Sequence, residues 1–302
     1  MNSPKDVFQT FRQALANLYD INETDSLSRM AMEEVTGFSS SKIKAFPELE
    51  LSESQVKAIQ NTLTELKTGK PIQYILGHTE FYGLTFKVNP SVLIPRPETE
   101  ELVEWIISSV GSSKLAASRI LDIGTGSGCI AVSLKKNLPE FDVTAIDISG
   151  SALQTAKENA ELNKVDIKFG KDDILNLKSE IEHSKLRSPL AHLEKTNNSE
   201  KFDIIVSNPP YVTLADKQQM HTNVTDFEPH TALFVPENDQ LIFYKAIADF
   251  ASGHLEKNGL LFFEINENYG EQIVELLNTT SFNNIELRKD LSGKNRMIRA
   301  IR

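Results

Sequence analysis

Apolar positions change their spacing along this chain, and each change marks a new kind of element. In the first stretch they recur every three to four residues: Val7, Phe11, Leu15 and Leu18, a second run over 24–37, then Val56, Ile59, Leu63 and Leu66. That spacing predicts three helices, each with one apolar stripe. Their ends are marked. Ser3, Pro4 and Asp6 supply a cap, a first-turn proline and a first-turn acid. Gly37 is placed to close the second helix. Ser52 and Gln55 have the spacing of a capping box, and Gly69 and Pro71 end the third helix. Residues 1–78 are expected to form a helical bundle whose stripes are core, with no catalytic constellation of its own.

Between 80 and 95 the chain turns to aromatic and β-branched residues around a glycine and an Asn-Pro pair. This predicts a β-hairpin, within a linker at 79–97 that bridges two domains. From Arg119 onward, short apolar runs alternate with helical stretches. Strands are expected at 120–123, 141–146, 165–169, 202–207, 260–265, 285–287 and 297–301. The helices between them are expected at 130–138, 149–162, 239–255 and 269–277. This alternation is the signature of an α/β domain with a mostly parallel sheet, here 98–302. Residues 176–200 are long and polar for a connection and are expected to be a mobile surface insertion.

The run 203–208 is apolar enough to be buried on both faces and ends in Pro209 and Pro210. Neither proline has an N–H for the sheet, so the strand stops at Asn208, at the carboxyl edge where open α/β sheets bind ligands. Pro209 restricts Asn208 to extended backbone. The product is a stiff bracket: an amide oxygen and a backbone carbonyl held as two acceptors, with the flat face of Tyr211 beside them. A planar –NH2 group is the natural guest. The bland alternative is a turn that merely ends a strand.

A second cluster lies at Gly124-Thr125-Gly126-Ser127-Gly128, after an acid-containing strand and before a helix. Such glycines permit a tight turn and close approach of a ligand. Cys129 breaks the dinucleotide fingerprint, and the Walker pattern is absent. Asp147 closes the next strand about 20 residues on, where a carboxylate can take ribose hydroxyls; it could equally cap the next helix. Asp172 and Asp173 follow the third strand, near where a base edge would lie, or in a solvated turn.

Composition narrows the classes. At 302 residues, ~150 per domain suggests two domains. A net charge of −10 argues against a broad phosphate-neutralising surface, so no stable nucleic-acid partner is expected. A single cysteine, Cys129, excludes an internal disulfide and fits a reducing compartment. No run approaches the ~20 apolar residues of a membrane span, and no signal-peptide core is evident at the start. A cytoplasmic monomer is expected. Six histidines without ligand spacing predict no metal. Cys129 follows the glycine loop, where a helix terminus could lower its pKa; with no base nearby it reads as a small buried filler.

Asn208-Pro209-Pro210-Tyr211 resembles the substrate motif of methyltransferases acting on planar –NH2 groups. The stretches 71–104, 122–134, 207–211 and 227–233, above all Pro95-Arg96-Pro97-Glu98-Thr99-Glu100, are similar to the HemK/PrmC family, the release factor glutamine methyltransferases. The resemblance implies a Rossmann-like, seven-stranded class I methyltransferase domain behind the helical bundle. It implies S-adenosyl-L-methionine held by Gly124–Gly128, Asp147, Asp172, Asp173 and Asn208, with S-adenosyl-L-homocysteine as product. It further implies methylation of the side-chain amide of the Gly-Gly-Gln glutamine of peptide chain release factors. Catalysis would rest on Asn208, Pro209, Pro210 and Tyr211, without a general base. Pro95, Arg96 and Pro97 would position the substrate, although a structural salt bridge from Arg96 to Glu98 or Glu100 is equally open. The chain departs from the pattern at Asp173, where some members carry an aromatic, and in its long 176–200 segment. A nucleic-acid amino-methyltransferase (adenine N6) would use the same bracket. A non-catalytic cofactor scaffold would be expected to have eroded it.

Overall fold

The computed structural model describes residues 1–112, 119–176, 201–218, 220 and 222–302; positions 177–200 of the expected insertion lie outside the described residues. The chain divides into two units, Met1–His78 with His221–Phe227, and Thr79–Met220 with Glu228–Arg302.

In the first unit, apolar periodicity becomes helix where a side chain satisfies the free N–H groups of the first turn. Helix Pro4–Leu15 starts on Ser3, whose hydroxyl accepts the Asp6 N–H. Helix Ile21–Thr36 begins earlier than the apolar pattern suggests, because Asp20 caps it by accepting the Asn22 and Glu23 N–H groups. It ends at Gly37, in the left-handed region at φ 68°. Helix Glu53–Leu66 carries the reciprocal Ser52–Gln55 capping box. Val7, Phe11, Leu15, Ile59 and Leu66 are fully buried between these helices. Leu18 lies past the end of the first helix and is exposed. Two further helices, Ser40–Ala45 and Ile72–Leu76, are too short to show a period in sequence.

The second unit begins at Thr79, within strand β1 (His78–Phe81), which pairs with β2 (Leu84–Lys87). Tyr82 and Gly83 make the turn, both with positive φ as a two-residue hairpin loop requires; Asn89-Pro90 lies beyond the hairpin. Phe81 and Phe86 pack edge to face and join the core around Trp105 and Phe262. The hairpin is thus built into this unit's core. The sheet comprises β3 (Arg119–Ile123), β4 (Asp142–Asp147), β5 (Lys168–Lys171), β6 (Phe202–Ser207), β7 (Leu255–Glu264), β8 (Asn283–Lys289) and β9 (Asn295–Ile301). Their order is β5-β4-β3-β6-β7-β9-β8, parallel except for β9, which runs antiparallel to both neighbours. This is the expected seven-stranded α/β sheet.

Two strands are offset from expectation. β5 forms three residues late, because Val165 still bonds back to Ala160 to end the preceding helix, and pairing with β4 sets Lys171 beside Asp147. β7 starts at Leu255 and continues through Asn258, at φ 66°, with an irregular register against β6.

The chain steps outward from β3 through β4 to β5, then returns to lay β6 on the other side of β3. At such a reversal the loops leaving adjacent strands diverge and open a crevice. Ser207 fastens the two strand ends here, its hydroxyl donating to the Ile123 carbonyl at 2.7 Å. A second fastener is Asn159, fully buried in helix Gly150–Leu162. It accepts the Lys87 N–H at 2.7 Å and donates to the Lys87 and Ser127 carbonyls at 3.0 and 2.9 Å. One side chain thereby ties the hairpin to the loop after β3. Asn159→Ala strands three backbone groups and is expected to cost about 2–3 kcal/mol in urea unfolding; a loss below about 0.5 kcal/mol would mean that water replaces the amide.

Candidate active site

The loop after β3 is shaped by its glycines. Gly126 adopts φ 56°, and a Cβ on Gly128 (φ 81°) would lie 3.1 Å from the Ala156 Cβ, so both conformation and space demand glycine. Gly124 and Thr125 both donate to the Ile146 carbonyl at 2.9 Å. Asp147, ending β4, accepts the Gly126 N–H on Oδ2 and the Ser149 N–H on Oδ1, each at 2.8 Å. It therefore anchors the glycine loop, while Ser149 caps the next helix. Burial raises the Asp147 pKa against these hydrogen bonds. Beneath the loop, Asp122 accepts the Thr125 hydroxyl at 2.6 Å. Burial, reinforced by Asp147, pushes its carboxyl up to about 7.

This loop borders a cavity of about 420 Å³, within the range of small-molecule sites. Gly124–Ser127, Asp147, Asp172, Asp173, Asn208, Pro209, Pro210, Pro95 and Arg96 all line it. Gly128 and Pro97 do not: Gly128 is packed on helix Gly150–Leu162, and Pro97 opens helix Pro97–Ser112. Asp173 is a turn-former, accepting the Leu175 N–H and the Asn176 side chain. The exposed apolar side chains of Ile148 and Leu175 also line the cavity. Neither belongs to a polar motif, so the sequence pattern does not single them out.

A second cavity, about 260 Å³, is lined by Tyr211, Asp216, Asn266 and Arg296. Leu93, Arg96, Asn208, Pro209 and Ala232 border both cavities, so the Asn-Pro bracket is their shared wall. Behind it runs a buried chain of hydrogen bonds. Asn208 Nδ2 donates to Thr99 Oγ1 at 3.3 Å, and Thr99 donates to Glu264 Oε2 at 2.6 Å. The Tyr211 hydroxyl donates to Glu264 Oε1 at 3.1 Å. Burial raises the pKa of Glu264 and, with Glu264 nearby, that of Tyr211. Tyr211 is further fixed by the Asn266 amide, which donates to its carbonyl. Sequence reasoning missed Glu264, Thr99 and Asn266 as members of the site. The one available signal was that Glu264 is an acid at the end of an apolar strand.

Arg96 corrects an expectation. Its partner is neither Glu98 nor Glu100 but Glu228, at 2.6 Å, with the Glu228 side chain only 1% exposed. Glu228 also accepts the Ile94 N–H. Glu100 is engaged elsewhere, accepting the Tyr82 N–H. Cys129 is buried, and burial pushes its thiol up to about 12, as suits a filler. Among the described residues no cluster has the makings of a metal site, and no helix is long and apolar enough to cross a membrane.

Residues 6–77 match the model of the PrmC N-terminal domain, and 114–238 match a methyltransferase domain. The chain is 47% identical over 290 residues to the release factor glutamine methyltransferase of Flavobacterium psychrophilum, covering 96% of this chain and 95% of that one. It is 39% identical over 291 residues to the namesake in Bacteroides thetaiotaomicron, covering 96% and 97%. Among solved structures, the hMettl16 catalytic domain in complex with MAT2A 3'UTR hairpin 6 shares the fold. Its TM-score is 0.50 at 18% identity, over 73% of this chain and 75% of that one.

The Arg96–Glu228 pair lends itself to a stability test. Arg96→Met leaves a buried carboxylate unpaired and is expected to cost about 3 kcal/mol. Adding Glu228→Gln should recover more than half of that in denaturant unfolding; additive losses would show that the pair does not couple.

Proposed function

The chain belongs to the release factor glutamine methyltransferase family, and from that membership we propose how its bracket and cavities divide the work of methylating a release-factor glutamine. The observation that carries the assignment is the shared wall: Asn208 and Pro209 border both cavities, so a donor on one side and an acceptor on the other meet at the bracket.

The larger cavity fits S-adenosyl-L-methionine. Its glycine backbone admits close approach, the unshared lone pairs of Asp147 suit ribose hydroxyls, and Ile148 and Leu175 offer apolar faces to a purine. Asp172 and Asp173 stand near that end as candidate base contacts. When bound, this cofactor supplies an electrophilic methyl group on a sulfonium, and S-adenosyl-L-homocysteine is left behind.

The chain's own residues supply position and charge. The glutamine amide nitrogen is a poor nucleophile, because its lone pair is shared with the carbonyl. Asn208 Oδ1 and the Pro209 carbonyl accept its two N–H bonds, holding the nitrogen in line and removing the entropy cost of alignment. The same two oxygens stabilise positive charge as it develops on nitrogen. Pro209 and Pro210 keep the bracket from relaxing. Tyr211, with its hydroxyl committed to Glu264, presents its ring to the acceptor side. Pro95 and Arg96 form a rigid rim at the wall, stiffened by Glu228, and Pro97 fixes the rim's far end by opening the next helix. No general base is needed before attack; the methylated nitrogen is cationic and strongly acidic, and it then gives up one N–H proton to solvent water. Residues 1–78 are assigned to gripping the release factor, because a single glutamine offers too little for the bracket to select. The hairpin segment 79–97 and domain 98–302 carry the transfer. The chain acts as a monomer without a stable nucleic-acid or membrane partner.

Mass spectrometry of a recombinant release factor, incubated with this protein and S-adenosyl-L-methionine, is expected to show one added methylene on the glutamine of the Gly-Gly-Gln peptide. An unmodified peptide, with methylation of an adenine oligonucleotide instead, would overturn the assignment. Asn208→Ala should lower kcat by about 100-fold or more with cofactor Kd little changed. Asp147→Ala should instead weaken cofactor binding by about 10-fold in calorimetry, and an unchanged Kd would remove it from the site.

A further inference from the structure

We infer that Glu264 is a positioning residue of the transfer step: acting through Thr99, it decides which end of the Asn208 amide faces the acceptor glutamine. This rests on the role proposed above for Asn208.

An asparagine amide has two ends of nearly equal shape, one accepting and one donating. Only the orientation with Oδ1 toward the acceptor can take an amide N–H; the flipped side chain would set donor against donor. Neither proline decides between them, because they fix the backbone while the terminal amide torsion is broad and two-fold. The neighbour that could decide is Thr99, whose Oγ1 lies 3.3 Å from Asn208 Nδ2. A free hydroxyl would accept either orientation, since it can donate or accept. This hydroxyl is not free. Its proton is committed to Glu264 Oε2 at 2.6 Å, which leaves only lone pairs for Asn208. The Nδ2 end must therefore turn to Thr99 and the Oδ1 end away from it.

Glu264 is equipped to enforce that commitment. Its second oxygen accepts the Tyr211 hydroxyl at 3.1 Å, so both oxygens act as acceptors, as a carboxylate requires. It is 1% exposed, and among the described residues no cation lies within ion-pair distance of it. A buried charge held only by hydroxyls is costly. A residue serving stability alone would be better replaced by an apolar one.

The carboxylate's neighbours give the arrangement a pH signature. Facing it are Thr99, Tyr211, Tyr244 (whose hydroxyl donates to the Glu264 backbone carbonyl at 3.2 Å), Arg296, Glu98 and Cys129. Burial is the largest influence and raises its pKa. The two hydroxyls and Arg296 oppose the rise, while Glu98 adds to it. Glu264 protonated on Oε2 would donate to Thr99 instead of accepting from it, free the Thr99 hydroxyl proton to turn toward Asn208 and let the amide flip. Activity should thus fall as pH drops through a value above that of an ordinary glutamate.

The test compares the full chain with Thr99→Val, Thr99→Ser and Glu264→Gln. It measures kcat and KM for an intact release factor, cofactor Kd and melting temperature, between about pH 5 and 9. Thr99→Val should lower kcat on the order of 100-fold, with KM and cofactor Kd within about 3-fold, and Thr99→Ser should recover most of the loss. Glu264→Gln should lower kcat and abolish the acid limb seen in the unaltered enzyme. Unchanged kcat in Thr99→Val, or an acid limb that survives Glu264→Gln, would overturn the inference. So would kcat, cofactor Kd and melting temperature falling together. If Glu264→Gln fails to fold, the Thr99 pair decides alone. An unaltered enzyme that modifies no release-factor glutamine would instead defeat the functional assignment itself.

Discussion

Strand β6 runs out of hydrogen-bond donors at Pro209, and the sheet must end there. The rest of the crevice follows from that stop. Because β6 lies beside β3 after the chain has already stepped out to β4 and β5, the forced exit falls at the reversal of strand order, opposite the glycine loop. A strand that continued one pair further would cover the place where the two cavities meet. Ser207, bonded across to Ile123, keeps the two ends level, so the glycine loop and the Asn-Pro bracket are held in one frame.

Local chemistry was legible in sequence, and distant partnership was not. The glycine loop, Asp147 and the Asn-Pro-Pro bracket announce themselves because each depends on neighbours within a few residues: a φ only glycine tolerates, a strand end, a missing N–H. The helical caps at Ser3 and Ser52 could be read for the same reason, whereas Asp20 precedes the apolar run and was overlooked. Thr99 and Glu264 are 165 positions apart, and Arg96 and Glu228 are 132 apart. No periodicity or spacing joins such pairs; only the closed sheet brings them together. Ile148 and Leu175 escaped notice for the opposite reason, since an exposed apolar residue beside an acid looks like ordinary surface. β5 shifted because the turn that closes helix Gly150–Leu162, with the Val165 N–H on the Ala160 carbonyl, takes up the first residues of the expected strand without altering their composition.

The site is built on acids, three of them buried and one, Asp147, half-buried. Asp122 lies below the glycine loop, Asp147 beside it, Glu264 behind the bracket and Glu228 behind Arg96; of the four, only Glu228 has a cation within ion-pair distance among the described residues. In a low-dielectric interior burial raises the pKa of Asp122, Asp147 and Glu264, and Asp147 adds to the rise at Asp122. The same field favours a guest that carries positive charge. A sulfonium on one side, and a nitrogen becoming cationic on the other, are guests of that kind.

The shared wall also has a consequence for traffic. On the division of labour proposed above, two cavities that share a wall of Asn208, Pro209, Arg96, Leu93 and Ala232 would give each ligand its own side of that wall. A spent cofactor would then be exchangeable while a protein loop is still seated, and a finished loop could withdraw while the cofactor stays. Neither would queue behind the other. The order of arrival and departure would be set by concentration and affinity rather than by the route through the molecule.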